Sequence, residues 1–310
     1  MSNWKIRWWR DVRFWRWAAQ LLAVLLLVLT VLMLGSNLNR NLQQLGLQLG
    51  FGFLNSQAGF AIGESAIPYE PSDPYRYALA VGLLNSLKIM VAGIVLATMV
   101  GVTVGIARLS DNWLVRQLAL VYVEVLRNTP LLLQLFFWYF VVFLELPPVQ
   151  QQLSLVGLVQ LNNRGIFLPG NIHLSPEFSA LLLGLTFYTG SFIAEIVRGA
   201  IQSVPLGQWE AARALGLKPT LIMRLVIFPQ ALQVMIPPLT SQYLNLIKNS
   251  SLAIAVGYPD VYAVASTTFN QTGRAVEVML LLLATYLVMS LSISGVMNRW
   301  NHLLLHRSSR

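Results

Sequence analysis

"EAARALGLKPTLIMRLVIFP", residues 210–229, is a charged, alanine-rich segment set between two long apolar runs. Residues 180–199 before it and 231–256 after it each reach or approach the ~20 apolar residues that cross hydrocarbon as a helix. The segment therefore sits where a membrane chain turns back. Gly207 is placed to serve as N-cap with Glu210 near the third helical position, and Gly216 suits the left-handed residue that closes a helix. Pro219 fits the first turn of the next helix. The expectation is a short helix and a bend near residues 203–222. Ala211, Ala212 and Ala214 leave its surface nearly bare, so a second polypeptide can approach closely.

Further apolar blocks at 17–35, 78–107, 115–143 and 276–296 bring the count to about six spans. Hydrophobic residues make up 56% of the 310 positions and charged residues 11%. The first and last blocks lack the polar stripes that a large soluble helical core needs. The fold class is accordingly all-α integral membrane, with the lipid bilayer as solvent. Lys5, Arg7, Arg10, Arg13 and Arg16 precede the first span against Asp11 alone, which places the N-terminus on the cytoplasmic side. An even number of spans returns the C-terminus there, where Arg299, Arg307 and Arg310 agree.

The pI of about 10.1 implies no nucleic-acid partner, because the cations lie at span ends rather than on one soluble face. Trp4, Trp8, Trp9, Trp15 and Trp17 interleave with the N-terminal arginines, as in an interfacial helix leading into an uncleaved first span. Zero cysteines exclude disulfides and thiol chemistry.

After the first span, Leu38, Leu42, Leu45 and Leu49 form a helical stripe, read as an amphipathic helix on the outer membrane surface. It ends at Pro68, Pro71 and Pro74, whose spacing forbids regular structure. The outside segment near 147–176 reads as a connecting loop. Residues 1–77 thus hold the basic, aromatic N-terminus, the first span and the amphipathic segment, and residues 78–310 form the core.

Several chemistries are missing. No lysine follows a glycine, so there is no phosphate-binding loop. His302 and His306 share metal spacing but lack the glutamate of a zinc hydrolase, and a tail helix at the membrane surface is the better reading. No Ser/His or Asp/Asp constellation marks an intramembrane enzyme. An ion-coupled secondary amino-acid carrier is the alternative transporter class; it calls for mid-span carboxylates or inverted repeats, and neither is evident. Gly101 and Gly105 in "GVTVG" permit close helix contact.

Glu210-Ala211-Ala212, Gly216 and Pro229 resemble the EAA motif of bacterial ABC importer permeases, with Val226-Ile227-Phe228-Pro229 a conservative departure from its usual ending. "RNTPLLLQLFF", "IAEIVRGAI", "FPQALQVMIPPL" and "LIKNSSLA" extend the likeness to the histidine permease type, the polar amino-acid branch. "GFGFLNSQAGFAIGESAIPYEPSDPY" resembles the longer permeases of general L-amino-acid importers, whose systems pair two different permeases. The resemblance implies a type I importer transmembrane domain in a bacterial inner membrane, with the 203–222 helix as a cytoplasmic coupling helix. It also implies two ATPase subunits, a second homologous permease and a periplasmic amino-acid-binding protein as partners. ATP and Mg would be bound by the ATPase subunits and no cofactor by this chain.

For a substrate pathway the candidates lie on the fifth span. Gln242, Asn245 and Asn249 share one helical face, flanked by Ser241, Lys248, Ser250 and Ser251. Amides in hydrocarbon are costly unless they bond one another or line a wet cavity. Interhelical bonding at a subunit seam is the alternative use. The resemblance implies that carboxylates occupy the positions of Gln242 and Asn249 in basic-amino-acid relatives, so this chain suits neutral polar and acidic amino acids. Gln134, one turn after Pro130, is the candidate opposite wall. Glu195 with Arg198, and Glu124 with Arg127, have the spacing of intrahelical ion pairs, a gate or subunit contact being the other reading.

Overall fold

The computed structural model describes residues 12–44, 49–155, 159–170 and 172–308. The chain divides into two compact units, Met1–Phe51 and Gly52–Arg310. In the first, helix α1 (Val12–Gln44) runs unbroken for 33 residues. At 1.5 Å per residue it is ~50 Å long, well beyond the ~30 Å of hydrocarbon. No proline interrupts it, so Leu38 and Leu42 continue α1 rather than starting a separate surface helix. Leu45 lies outside the described residues, as do Trp4, Trp8 and Trp9 of the expected interfacial stretch.

The second unit is a helical bundle. Its spans are α2 (Tyr75–Ala107), α5 (Pro176–Gln202), the composite run Pro219–Val256 and α10 (Ala275–Ser308). With α1 these make five described helices long and apolar enough to cross a membrane, and six if a broken pair counts as one span. That pair is a correction to the single span read at 115–143. Helix α3 (Trp113–Arg127) and helix α4 (Leu131–Phe136), which continues into a π-helical stretch Phe137–Phe143, meet at 106°. Pro130 removes an N–H and disfavours helical geometry at Thr129. The carbonyls freed at the break are taken up locally. Asn128 Nδ2 donates to Glu124 O at 2.7 Å and Thr129 Oγ1 to Val125 O at 2.7 Å.

The composite run explains its own irregularities. Pro219 opens α7 (Pro219–Leu221), a π-helical turn Ile222–Ile227 follows, and α8 (Phe228–Asn249) carries Pro229 in its first turn and Pro237 and Pro238 inside. Its end tightens into a 3₁₀ stretch, Ser250–Val256. Ser250 and Ser251 donate their hydroxyls back to Ile247 O and Lys248 O at 2.8 and 2.7 Å, which helps stop the α-helix there. Helix α9 (Val261–Thr272), N-capped by Asp260, is too short to span and was not anticipated.

The 147–176 segment is more than a connecting loop. It contains four antiparallel strands in sequence order, β1 (Leu153–Leu155), β2 (Val159–Asn162), β3 (Gly165–Leu168) and β4 (Ile172–Leu174). Gly165 is essential to the turn geometry. Its φ is +119°, and a Cβ there would lie 2.1 Å from Leu174 O.

Helices α2 and α5 pack along the smallest residues of α2. A Cβ on Gly101 would sit 2.5 Å from Ile193 and 2.9 Å from the carbonyl of Gly190; one on Gly105 would sit 2.7 Å from the carbonyl of Ala194. Without a hydrophobic drive between helices in lipid, such close van der Waals contact supplies much of the association. Around it, Leu181, Leu185, Ile193, Met235, Ile236, Leu246 and Ile247 form one buried core. Gly101→Val should therefore destabilise the protein by about 1–3 kcal/mol, read as a lower midpoint of thermal unfolding in detergent. Ile193→Ala in the same chain should restore only part of the loss, because the Gly190 carbonyl stays in place. Unchanged unfolding of Gly101→Val would show that the contact is not close.

Candidate functional site

Helix α6 (Leu206–Ala214) follows α5 after only three residues. Its start differs from the expectation: the N-cap is Pro205, not Gly207, and Glu210 is the fifth helical residue. Pro205 is extended, with ψ 138°, and its carbonyl accepts the Gln208 N–H at 3.0 Å, so the helix begins two residues early. The C-terminal end is as expected. Gly216 has φ +71°, its N–H donates to Arg213 O at 2.9 Å, and the Leu217 N–H donates to Ala212 O at 3.3 Å. That pair of bonds is a Schellman closure.

Ala212 is buried, and Trp209 and Leu217 pack against the bundle core. Gln208 also receives a bond from Gln230 on α8 at 3.2 Å. The opposite face is open. Glu210, Ala211 and Ala214 are exposed there, and Leu206 and Leu215 are 77% and 79% exposed at the two ends. Pro229 is exposed at the start of α8. The helix is thus held on one side and presents a small, apolar-ended surface on the other.

The α8 candidates separate into two groups. At 100° per residue Ser251 lies on the opposite side of the helix from Gln242. Lys248 and Ser251 line a cleft of about 640 Å³ with Tyr262 of α9 and Tyr286 and Ser290 of α10. The last three were missed, although Tyr286 and Ser290, one turn apart in an apolar run, are a legible polar signal. Gln242, Asn245 and Asn249 do not line this cleft. Gln242 and Asn249 are half-buried and Asn245 is exposed. Among the described residues none of the three amides has a side-chain hydrogen bond. Ser250 is buried and committed to Ile247.

Behind the cleft, Asp260 is fully buried. Its Oδ1 accepts the Ala263 N–H at 2.8 Å. Burial pushes its carboxyl up to about 7, opposed by the backbone N–H groups of Ala263 and Tyr262.

Gln134, the candidate opposite wall, sits within α4. It is buried, and its Nε2 donates to Leu126 O at 2.9 Å and Thr129 O at 3.1 Å, tying α4 to the end of α3. Glu195 pairs with Arg198 as its spacing implies, and also with Arg108 at the end of α2. Glu124 and Arg127 do not pair with each other among the described residues. Glu124 accepts from Asn128, and Arg127 lies 5.1 Å from the Phe192 ring centroid.

A family model described as the binding-protein-dependent transport system inner membrane component matches residues 89–308, which include α6 and α8. The chain belongs to this family. It is a multi-pass inner-membrane permease. The general L-amino acid transport system permease protein AapQ of Rhizobium johnstonii is 39% identical, over 91% of this chain and 90% of its own. The glutamate/glutamine/aspartate/asparagine transport system permease protein BztB of Rhodobacter capsulatus is 35% identical over 94% of both chains. A crystal structure of an amino acid ABC transporter with histidines aligns at TM-score 0.58 and 28% identity, over 74% of this chain and 94% of its own.

The geometry at Gly216 makes a discriminating pair of substitutions for this permease. A β-branched residue at positive φ costs about 1–2 kcal/mol, whereas asparagine tolerates it. A Cβ there would meet nothing within 4 Å, so crowding plays no part. Gly216→Val should weaken co-purification of the ATPase subunit and Gly216→Asn should largely preserve it. Equal retention by both variants would contradict a role for the closed end of α6.

Proposed function

We propose that this chain is one of two permease subunits in an ATP-driven importer for neutral polar and acidic L-amino acids. The observation that carries the substrate class is the match over nine tenths of both chains to permeases of amino-acid systems. In this reading α6 is the coupling helix, seated through Leu206, Glu210, Ala211, Ala214 and Leu215 on a separate ATPase chain that binds ATP and Mg. A periplasmic binding protein delivers the amino acid to the far side, and both termini are cytoplasmic.

The free amides of Gln242, Asn245 and Asn249 support a pathway along α8. In hydrocarbon such groups need partners, and this protomer supplies none among the described residues. A second, related permease completes the wall, giving a wet route between the two. The resemblance of the N-terminal segment to permeases of systems that pair two different permeases favours a different chain over a second copy. Lys248, one turn from Asn245, contributes positive charge near this route. Lys248 is the single charged residue of α8.

The substrate preference follows from charge. At an effective dielectric near 20, unit charges about 4 Å apart interact by roughly 4 kcal/mol before desolvation. With amides at 242 and 249 and a cation at 248, glutamine and glutamate should be favoured over arginine and lysine. Gln242→Glu with Asn249→Asp should move the arginine-to-glutamine ratio up by at least about tenfold. The measurement is amino-acid-stimulated ATPase activity of the isolated permease–ATPase complex, without the binding protein. Tighter binding of arginine than of glutamine by the wild-type complex would refute the charge argument.

A further inference from the structure

Residues 52–74 are seated on the end of the bundle opposite α6, and Glu64 makes contacts to two separate parts of it, α2 and the residue that caps α5. Its backbone carbonyl accepts from Asn85 Nδ2 on α2 at 2.7 Å, and the same nitrogen donates to Pro259 O in the turn before α9 at 2.9 Å. Its carboxylate pairs with Lys88 on α2 at 2.6 Å and accepts from Ser175, the N-cap of α5. Lys88 in turn lies 4.3 Å from the Phe178 ring centroid. Phe53, Leu54, Phe60, Ile62 and Tyr69 pack against a small buried cluster of Ala58, Tyr75, Ala78 and Val264, separate from the main core. Beneath the segment is a cavity of about 470 Å³, bordered by Phe60, Glu64, Ser175, Gly257 and Thr267.

We propose that residues 52–74 form a clasp over the outer end of the transport pathway. Glu64 is its positioning residue, holding the segment to α2 and to the N-cap of α5 until substrate is admitted. The inference rests on the permease reading and goes beyond it. The segment, Asn85 and Lys88 all precede the span matched by the family model, so the clasp is an addition to the common core. Its bonds fix the segment to α2 and to the start of α5, and one of them must release if the segment is to lift from the cavity. The ion pair is partly exposed, with side chains at 39% for Lys88 and 21% for Glu64. Pairs of this kind hold weakly, which suits a contact made and broken in each cycle. The cavity beneath gives the clasp a volume to cover.

The test uses the complete transporter in proteoliposomes, with wild type alongside. The natural chain has no cysteine, so Glu64→Cys with Ser175→Cys can be bridged selectively by a short bifunctional thiosulfonate reagent. Bridging should cut ATP-driven glutamine uptake at least about tenfold, and reductant should restore it. In a second arm, Glu64→Gln should raise ATP hydrolysis in the absence of amino acid roughly fivefold, and the charge swap Glu64→Lys with Lys88→Glu should return it toward wild type. A bridged complex that transports at its reduced rate, or a swap that rescues nothing, overturns the clasp while leaving the permease reading intact. A wild-type complex that moves no amino acid overturns the permease reading and the clasp with it.

Discussion

Two helices in lipid can approach only as closely as their side chains allow, and the bundle depends on the close approach of α2 to α5. Gly101 and Gly105 let α2 meet the α5 backbone at Gly190 and Ala194. Arg108, at the end of the same helix, then reaches Glu195 on α5. Both ends of the molecule inherit this contact. Helix α5 leads into α6 after three residues, so the exposed helix is joined directly to the helix that carries the tightest packing in the bundle. At the other end, Ser175 begins α5 and meets the segment before α2 through Glu64. A displacement at α6 therefore has a stiff route across ~40 Å of helix to the far side.

Several polar groups within the bundle have local work to do, and the amides of α8 contrast with them. Gln134, Ser250 and Glu195 have local tasks: a helix break to tie, a helix end to close, two arginines to neutralise. The amides of α8 have no such bonds among the described residues. Hydrocarbon penalises that arrangement, so their presence points outward, to water or to a partner. The two internal prolines of α8 fit the same picture, since lost backbone bonds are tolerated where a helix borders a wet space.

The spans were legible because hydropathy accumulates over twenty residues, and the end of α6 was legible because Gly216 announces a left-handed closure. Its start lies two residues before the one Gly207 implies, because the carbonyl of Pro205 already accepts the Gln208 N–H. The break at Pro130 was written in "NTP" but submerged in an apolar run. The β-strands are three or four residues long, too short for alternation to stand out. On α8 the shared face of Gln242, Asn245 and Asn249 is legible from spacing, whereas the cleft at Lys248 and Ser251 is built with Tyr262, Tyr286 and Ser290 from other helices, which no local spacing reveals. Glu64 gave no signal at all, because its partners lie 24 and 111 residues away and no periodicity links them.

The central claim is that ATP hydrolysis in a separate chain drives amino acid through this one. The most direct measurement is uptake of labelled glutamine into proteoliposomes that contain this chain, its partner permease, the ATPase and the binding protein. The account predicts uptake that requires ATP inside the functional orientation and persists when ionophores collapse proton and sodium gradients. Uptake that proceeds without ATP and stops when those gradients are collapsed would contradict it.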